Sequence, residues 1–307
     1  MGWPTAMAAS FLATLGRPRW WAIALAAFLV RGGVLALVLP MVALPSRAGI
    51  ENIVSPTIVS YVLVGPTASF WALVVGGAAA ALGLLVLGAL VGSWLDLALV
   101  REVAADDELE AALPVRRRRT LHATAIRLAA HLPTMVIVIW SAFAVGEAAY
   151  REVVAPGDPS VPVFLRVVAR VPAAIVAVTA AWALGEAIGG LAVRRQAAGA
   201  RTVAALASGW LDLLRRPAVL ATALLTDLAV ASTVVLSALA VGLAWDSLRI
   251  AVVDGSPAFA VRLGLLVFGL AWVVGAWSIG VATAWRQAAW TFEALRPRHE
   301  STRTIVA

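Results

Sequence analysis

Six long apolar stretches, at about residues 20–44, 70–99, 134–154, 163–193, 217–245 and 260–290, constrain this chain more than any motif. Each reaches the roughly 20 residues that a helix needs to cross about 30 Å of hydrocarbon. Hydrocarbon offers no partner to a bare N–H or C=O, so a spanning segment must satisfy its own backbone, as a helix does. A transmembrane barrel would need short strands of alternating polarity, and the sequence has none. Composition agrees: hydrophobic residues make up 62% of the chain and charged ones 13%, against roughly 25% charged in soluble domains. The expected fold is therefore all-α, a polytopic membrane protein with six transmembrane helices.

The net charge of +7 would suit nucleic acid, but the basic residues flank the apolar runs and form no single stripe. Nucleic acid is thus excluded as a partner. All 24 basic residues are Arg, which the coding bias of a GC-rich genome explains. Seventeen of them fall in the N-terminal tail, the loops after the second and fourth spans, and the C-terminal tail, against six on the other side. The positive-inside rule then places both termini in the cytoplasm of a multi-pass protein of the bacterial plasma (inner) membrane. The first apolar run lacks a cleavable signal pattern and reads as a retained span.

A repeated unit is the next constraint. Pro18, Pro133 and Pro217 each follow an amphipathic run and precede an odd-numbered span. The third copy is the clearest: Val203, Leu206, Trp210, Leu213 and Leu214 share one helical face, and Arg201, Ser208, Asp212 and Arg215 the other. Such helices suit the inner headgroup layer, with Arg towards anionic lipid. The even spans align on Arg101, Arg194 and Arg286, with Ser93, Glu186 and Ser278 eight residues before them. Three repeated helical hairpins are expected (about 1–100, 101–195 and 196–290) in one domain over 1–290, followed by a cytoplasmic tail over 291–307. Between Pro56 and Gly65 the outer loop carries TIVSYVLV, too short to span and expected to be interfacial or re-entrant.

Four ionisable residues fall well within spans: Arg31, Glu147, Glu186 and Asp227. A charge at the bilayer centre costs at least about 2.5–3.5 kcal/mol, so each should face protein or a wet cavity. In the repeat register Arg31, Glu147 and Asp227 lie at similar depth, so an Arg31 pair with Asp227 or Glu147 is expected, either fixing the bundle or forming a polar site. Asp96 reads as interfacial. Arg116, Arg117, Arg118, Arg119, Arg215 and Arg216 are candidates for lipid headgroup or partner contact.

Catalytic patterns are absent. His122, His131 and His299 lack metal-ligand spacing, no Cys exists, and neither a nucleophile elbow nor a phosphate loop occurs. No enzyme activity, metal or cofactor is expected. Gly88-x-x-x-Gly92 and Gly185-x-x-x-Gly189 suit close helix packing.

With Arg17-Pro18, Leu132-Pro133 and Arg216-Pro217 opening its odd spans, the chain resembles a loose group of bacterial six-helix membrane proteins. That group includes the membrane domains attached to some glycerophosphodiester phosphodiesterases. No phosphodiesterase domain accompanies the spans here, so the resemblance implies no hydrolysis. Residues 3–16 and 101–120 are also similar in placement to the interfacial helix and coupling element of ABC exporter permeases. A threefold repeat has no place in that architecture, and Glu110-Ala111-Ala112 lacks the glycine of an importer's coupling motif. The expected function is a membrane scaffold or a lipid-interacting protein, with anionic inner-leaflet lipids as partners. The alternative is a transporter subunit for a small solute, ion or lipid, with a membrane-protein or ATPase partner.

Overall fold

The computed structural model describes residues 3–42, 64–65, 67–106, 119–155, 158, 161 and 163–295. Among them every regular element is helical, and six helices are long and apolar enough to cross a membrane. Short helices precede the odd spans: α1 (Trp3–Leu15), α5 (Arg119–Ala130) and α9 (Thr202–Arg215). The first span runs from α2 (Pro18–Phe28) through a wide π turn (Leu29–Gly33), α3 (Val34–Val38) and a 3-10 turn to Met41. The others are α4 (Ala68–Asp106), α6 (Leu132–Val154), α8 (Pro172–Ala197), α10 (Pro217–Val253) and α11 (Ala258–Leu295), with α7 (Val163–Arg170) between α6 and α8.

Proline sets the starts. Pro18, Pro172 and Pro217 open their helices and Pro133 stands second in α6, positions where a missing N–H leaves no bond unmade. Pro172 also corrects the fourth span, expected over 163–193. Val171 leaves helical geometry (φ −122°, ψ 38°), so Val163–Arg170 is a separate helix. At the far end of α8, Gly199 (φ 108°) turns the chain, with Ala200 N–H bonded to Arg195 C=O. Glycine adopts that left-handed geometry without a Cβ penalty. At about 1.5 Å per residue, α4, α10 and α11 extend roughly 55–60 Å, more than the 40–45 Å of a whole bilayer, so they tilt or project from it.

Two helices organise the rest. The α11 helix packs on α1, α2, α4, α8 and α10, and α8 also takes α5, α6 and α9. Their buried stretches, Gly185–Val193 on α8 and Ile279–Leu295 on α11, lie towards the ends that share a side with α1, α5 and α9. We call that half proximal. Core clusters form there around Trp20 with Leu99 and Val103, around Ile126 with Ala192, and around Trp290 with Ile188. In the distal half the outward faces of α4 and α10 are bare, with Leu84 72% exposed and Leu243 70%.

The short helices turn differently from their sequence pattern. On α9 the face against α8 is Ala205, Gly209, Asp212 and Leu213, while Val203, Trp210 and Leu214 stay exposed. Asp212, expected on the outward polar face, is buried and accepts from Arg195 at 2.9 Å. The even-span alignment separates in space as well. Arg194 and Arg286 are buried and Arg101 is exposed, and Ser278 is exposed where Ser93 and Glu186 are buried. The TIVSYVLV stretch, apart from its last residue Val64, lies outside the described residues.

Candidate functional site: a buried chain of six charges

The proximal half is crossed by one alternating chain of charges. Arg31 pairs with Asp96 Oδ2, which also accepts from Arg127 at 2.6 Å. Arg127 reaches on to Glu186 Oε2 at 3.1 Å, and the same oxygen lies 3.4 Å from Arg286. Arg286 then donates to Asp227 at 3.1 Å. Each residue comes from a different element: the π turn of the first span, α4, α5, α8, α11 and α10. The four interior side chains are at most 7% exposed, while the ends, Arg31 and Asp227, reach 19% and 12%. With three carboxylates and three guanidiniums, the chain is neutral.

Local sequence places each member. Asp96 lies ten residues before the end of α4, Glu186 eleven before the end of α8, Arg286 nine before the end of α11, and Asp227 ten after the start of α10. At about 1.5 Å per residue all four sit roughly 15 Å in from the proximal ends, in one layer. Glycines let the helices close around it. A Cβ on Gly92 would collide with the Arg31 side chain, and one on Gly88 would come within 2.8 Å of the Val30 carbonyl. On α8, Gly185 lies against His131 and Gly189 against Arg127. The two small-residue pairs read from sequence thus admit charged side chains at close quarters.

The pairing departs from expectation at three points. Arg31 meets Asp96, not Asp227 or Glu147, and Asp96 is 1% exposed instead of interfacial. Glu147 is absent from the chain: it is exposed and pairs with Arg151 one turn on along α6. Its depth resembles that of Arg31 and Asp227, but helix rotation points it away from the bundle. Arg127 and His131, which interrupt the second amphipathic run, belong to the site, with His131 Nε2 3.5 Å from Glu186 Oε1. Burial alone would weaken the charge on Arg127. Glu186 first, then Asp96, outweigh that effect and hold its pKa above the ordinary arginine value.

Arg194 lies beside the chain, fully buried. It donates to the Thr291 hydroxyl (2.9 Å), the Gly190 carbonyl (2.7 Å) and both the carbonyl and side-chain oxygens of Gln287. Trp290 stands between Arg194 and Arg286, its ring centre 5.6 and 5.2 Å from their guanidinium carbons, and donates to Thr226. This cluster ties α8 to α11 through neutral acceptors.

The predicted lipid-contact arginines divide. Arg119 is buried and donates to the Ala197 carbonyl, which takes it off the surface. Arg215 is exposed, and Arg216 bridges to Glu293 at 2.8 Å. Arg116, Arg117 and Arg118 lie outside the described residues. No protein-family model, curated protein or solved structure matches this chain.

Buried oxygens without a partner lie at one end of the chain. Among the described residues Ser93 Oγ and Asp96 Oδ1, on one face of α4, have none; Asp96 meets the π turn of the first span through Arg31, and in that turn Gly32 takes φ 96°.

Proposed function

We propose that this chain is a non-enzymatic membrane scaffold that interacts with lipid, and that its six-charge chain fastens the helices together. The observation that carries this is the direct contact of every buried acid in the layer with a guanidinium from another element. Charges held in this way fix helix register, a structural use of buried ion pairs. The protein resides in the bacterial inner membrane with cytoplasmic termini, as three repeated hairpins. Support for the repeat comes from α1, α5 and α9, each leading into a proline-opened odd span and each packed on an even span. Exposed Val203, Trp210, Leu214 and Arg215 on α9 favour an interfacial seat facing inner-leaflet lipid.

One observation favours the second reading, transport of a small solute, ion or lipid. The first span is interrupted beside Arg31, and interrupted helices at membrane depth are tolerated where they line a site. Native mass spectrometry after gentle extraction separates the two. A lone protein carrying phospholipid supports the scaffold, and a stoichiometric ATPase partner would replace it with the transporter. In proteoliposomes, Arg31→Met should leave a scaffold folded with no flux to lose. A transporter would lose flux while still folded.

A further inference from the structure

The charge layer holds one titratable group that the six-charge chain leaves out, His131. It stands between α5 and α6, just ahead of the third span, with its side chain 19% exposed. Arg127 is four residues earlier, and both side chains meet Glu186 on α8. Gly185 makes room for the ring: a Cβ there would lie 3.0 Å from His131 Cδ2.

The two ring nitrogens face two acceptors. Nδ1 lies 2.9 Å from the Arg127 carbonyl, which has no proton to give, so Nδ1 must donate. Nε2 lies 3.5 Å from Glu186 Oε1. A neutral ring carries a single N–H. With that hydrogen on Nδ1, the Nε2 lone pair faces a carboxylate oxygen. With it on Nε2, the Nδ1 lone pair faces the carbonyl. Only the imidazolium gives both oxygens a donor. Glu186 has a place for it, because Arg127 and Arg286 both lie on Oε2, and among the described residues His131 alone lies on Oε1.

The charges around the ring come from three helices: Glu186 on α8, Arg127 on α5 and, through Glu186, Arg286 on α11. Asp96 and Asp227 pair the two guanidiniums from their far sides, and Arg194 also lies within electrostatic reach of Glu186.

We propose that His131 and Glu186 form a proton-binding site, and that the proton on Nε2 fastens the junction of α5 and α6 to α8. The inference rests on the scaffold reading and adds a regulation to it, in which the pH of the proximal side sets how firmly the layer is closed. As pH rises the proton leaves to water through the exposed edge of the ring. A lone pair then faces Oε1, while the two guanidiniums stay on Oε2. A proton bound by the folded layer and released on unfolding makes stability fall with rising pH.

The test uses the full chain in mixed micelles. Nitrogen NMR of labelled histidine reads the ring directly, with the other two histidines removed from the spectrum by His122→Gln and His299→Gln. The His131 ring should carry protons on both nitrogens at about pH 5.5 and, once titrated, keep its remaining proton on Nδ1. In reversible unfolding, wild type should lose about tenfold more of its folded-to-unfolded ratio than His131→Gln between about pH 5.5 and 8.5. A ring lacking the Nε2 proton at about pH 5.5, a last proton left on Nε2, or equal pH slopes in wild type and His131→Gln would each overturn the site. The scaffold reading fails by a different result, a flux in proteoliposomes that Arg31→Met abolishes. In that case the ring spectrum still decides whether the proton is bound.

Discussion

The proximal and distal halves of the bundle use the same helices and close by different means. In the proximal half, charge and small residues bring helices together: Asp96 holds Arg31 and Arg127, and Glu186 holds Arg127 and Arg286. In the distal half, Leu82, Leu84 and Leu87 of α4 and Leu265 and Leu266 of α11 face outward. Lipid tails are as apolar as leucine, so an aliphatic face gains little by meeting another helix. Polar groups have no such indifference to lipid. Most of the bundle therefore closes where it carries charge. The α10 and α11 helices also pair through their distal halves, with Val241 and Leu248 buried and the Trp245 and Phe268 rings 5.5 Å apart. Elsewhere in the distal half Glu152 holds Arg166 at 2.7 Å and Arg170 at 2.6 Å, beside the apolar cluster of Ala148, Val167 and Ala174 that seats α7 on α6.

The contrast can be broken most severely at Glu186. Glu186→Gln leaves Arg127 and Arg286 facing each other without their shared acid, and should destabilise the fold by about 3–5 kcal/mol. Loss of the folded monomer on size-exclusion chromatography and a lowered thermal midpoint would report it. Gly92→Val places branched carbons in the space of Arg31, and should cost about 1–3 kcal/mol in the same assay. The chain's ends should matter less. Asp227→Asn leaves Arg286 on Glu186, with an expected loss of about 1–2 kcal/mol. Smallest of all, Glu147→Gln removes an exposed pair within α6 and should shift stability by less than about 0.5 kcal/mol. A large effect there would mean that the distal half is fastened by charge after all.

Much of the architecture was legible in the sequence. Apolar length alone marks the six spans, and proline at their starts marks where short helices give way to long ones. The two glycine pairs sit where the π turn of the first span meets α4 and where α8 meets α5. The partners of the charges were harder to read. Asp96 looked interfacial because it stands near the end of the apolar run 70–99, yet α4 runs on to Asp106 and carries Asp96 a further turn and more into the bundle. Arg127 and His131 sit four residues apart beside Ala123 and Ala130. That spacing puts both on one helical face and was the available signal for their role. Glu147 misled because residue count fixes depth along a helix and says nothing of its rotation in the bundle. Its local partner, Arg151, stands at the i+4 position that an exposed pair uses.

The central claim is that the charges act as one chain, and a double-mutant cycle on its interior link tests it most directly. Arg127→Gln, Glu186→Gln and the double variant would be compared by reversible unfolding in mixed micelles. Coupling of about 2 kcal/mol or more between the two sites is the expected result. Additive losses, agreeing within about 0.5 kcal/mol, would contradict it and leave the buried charges as separate residents of one layer.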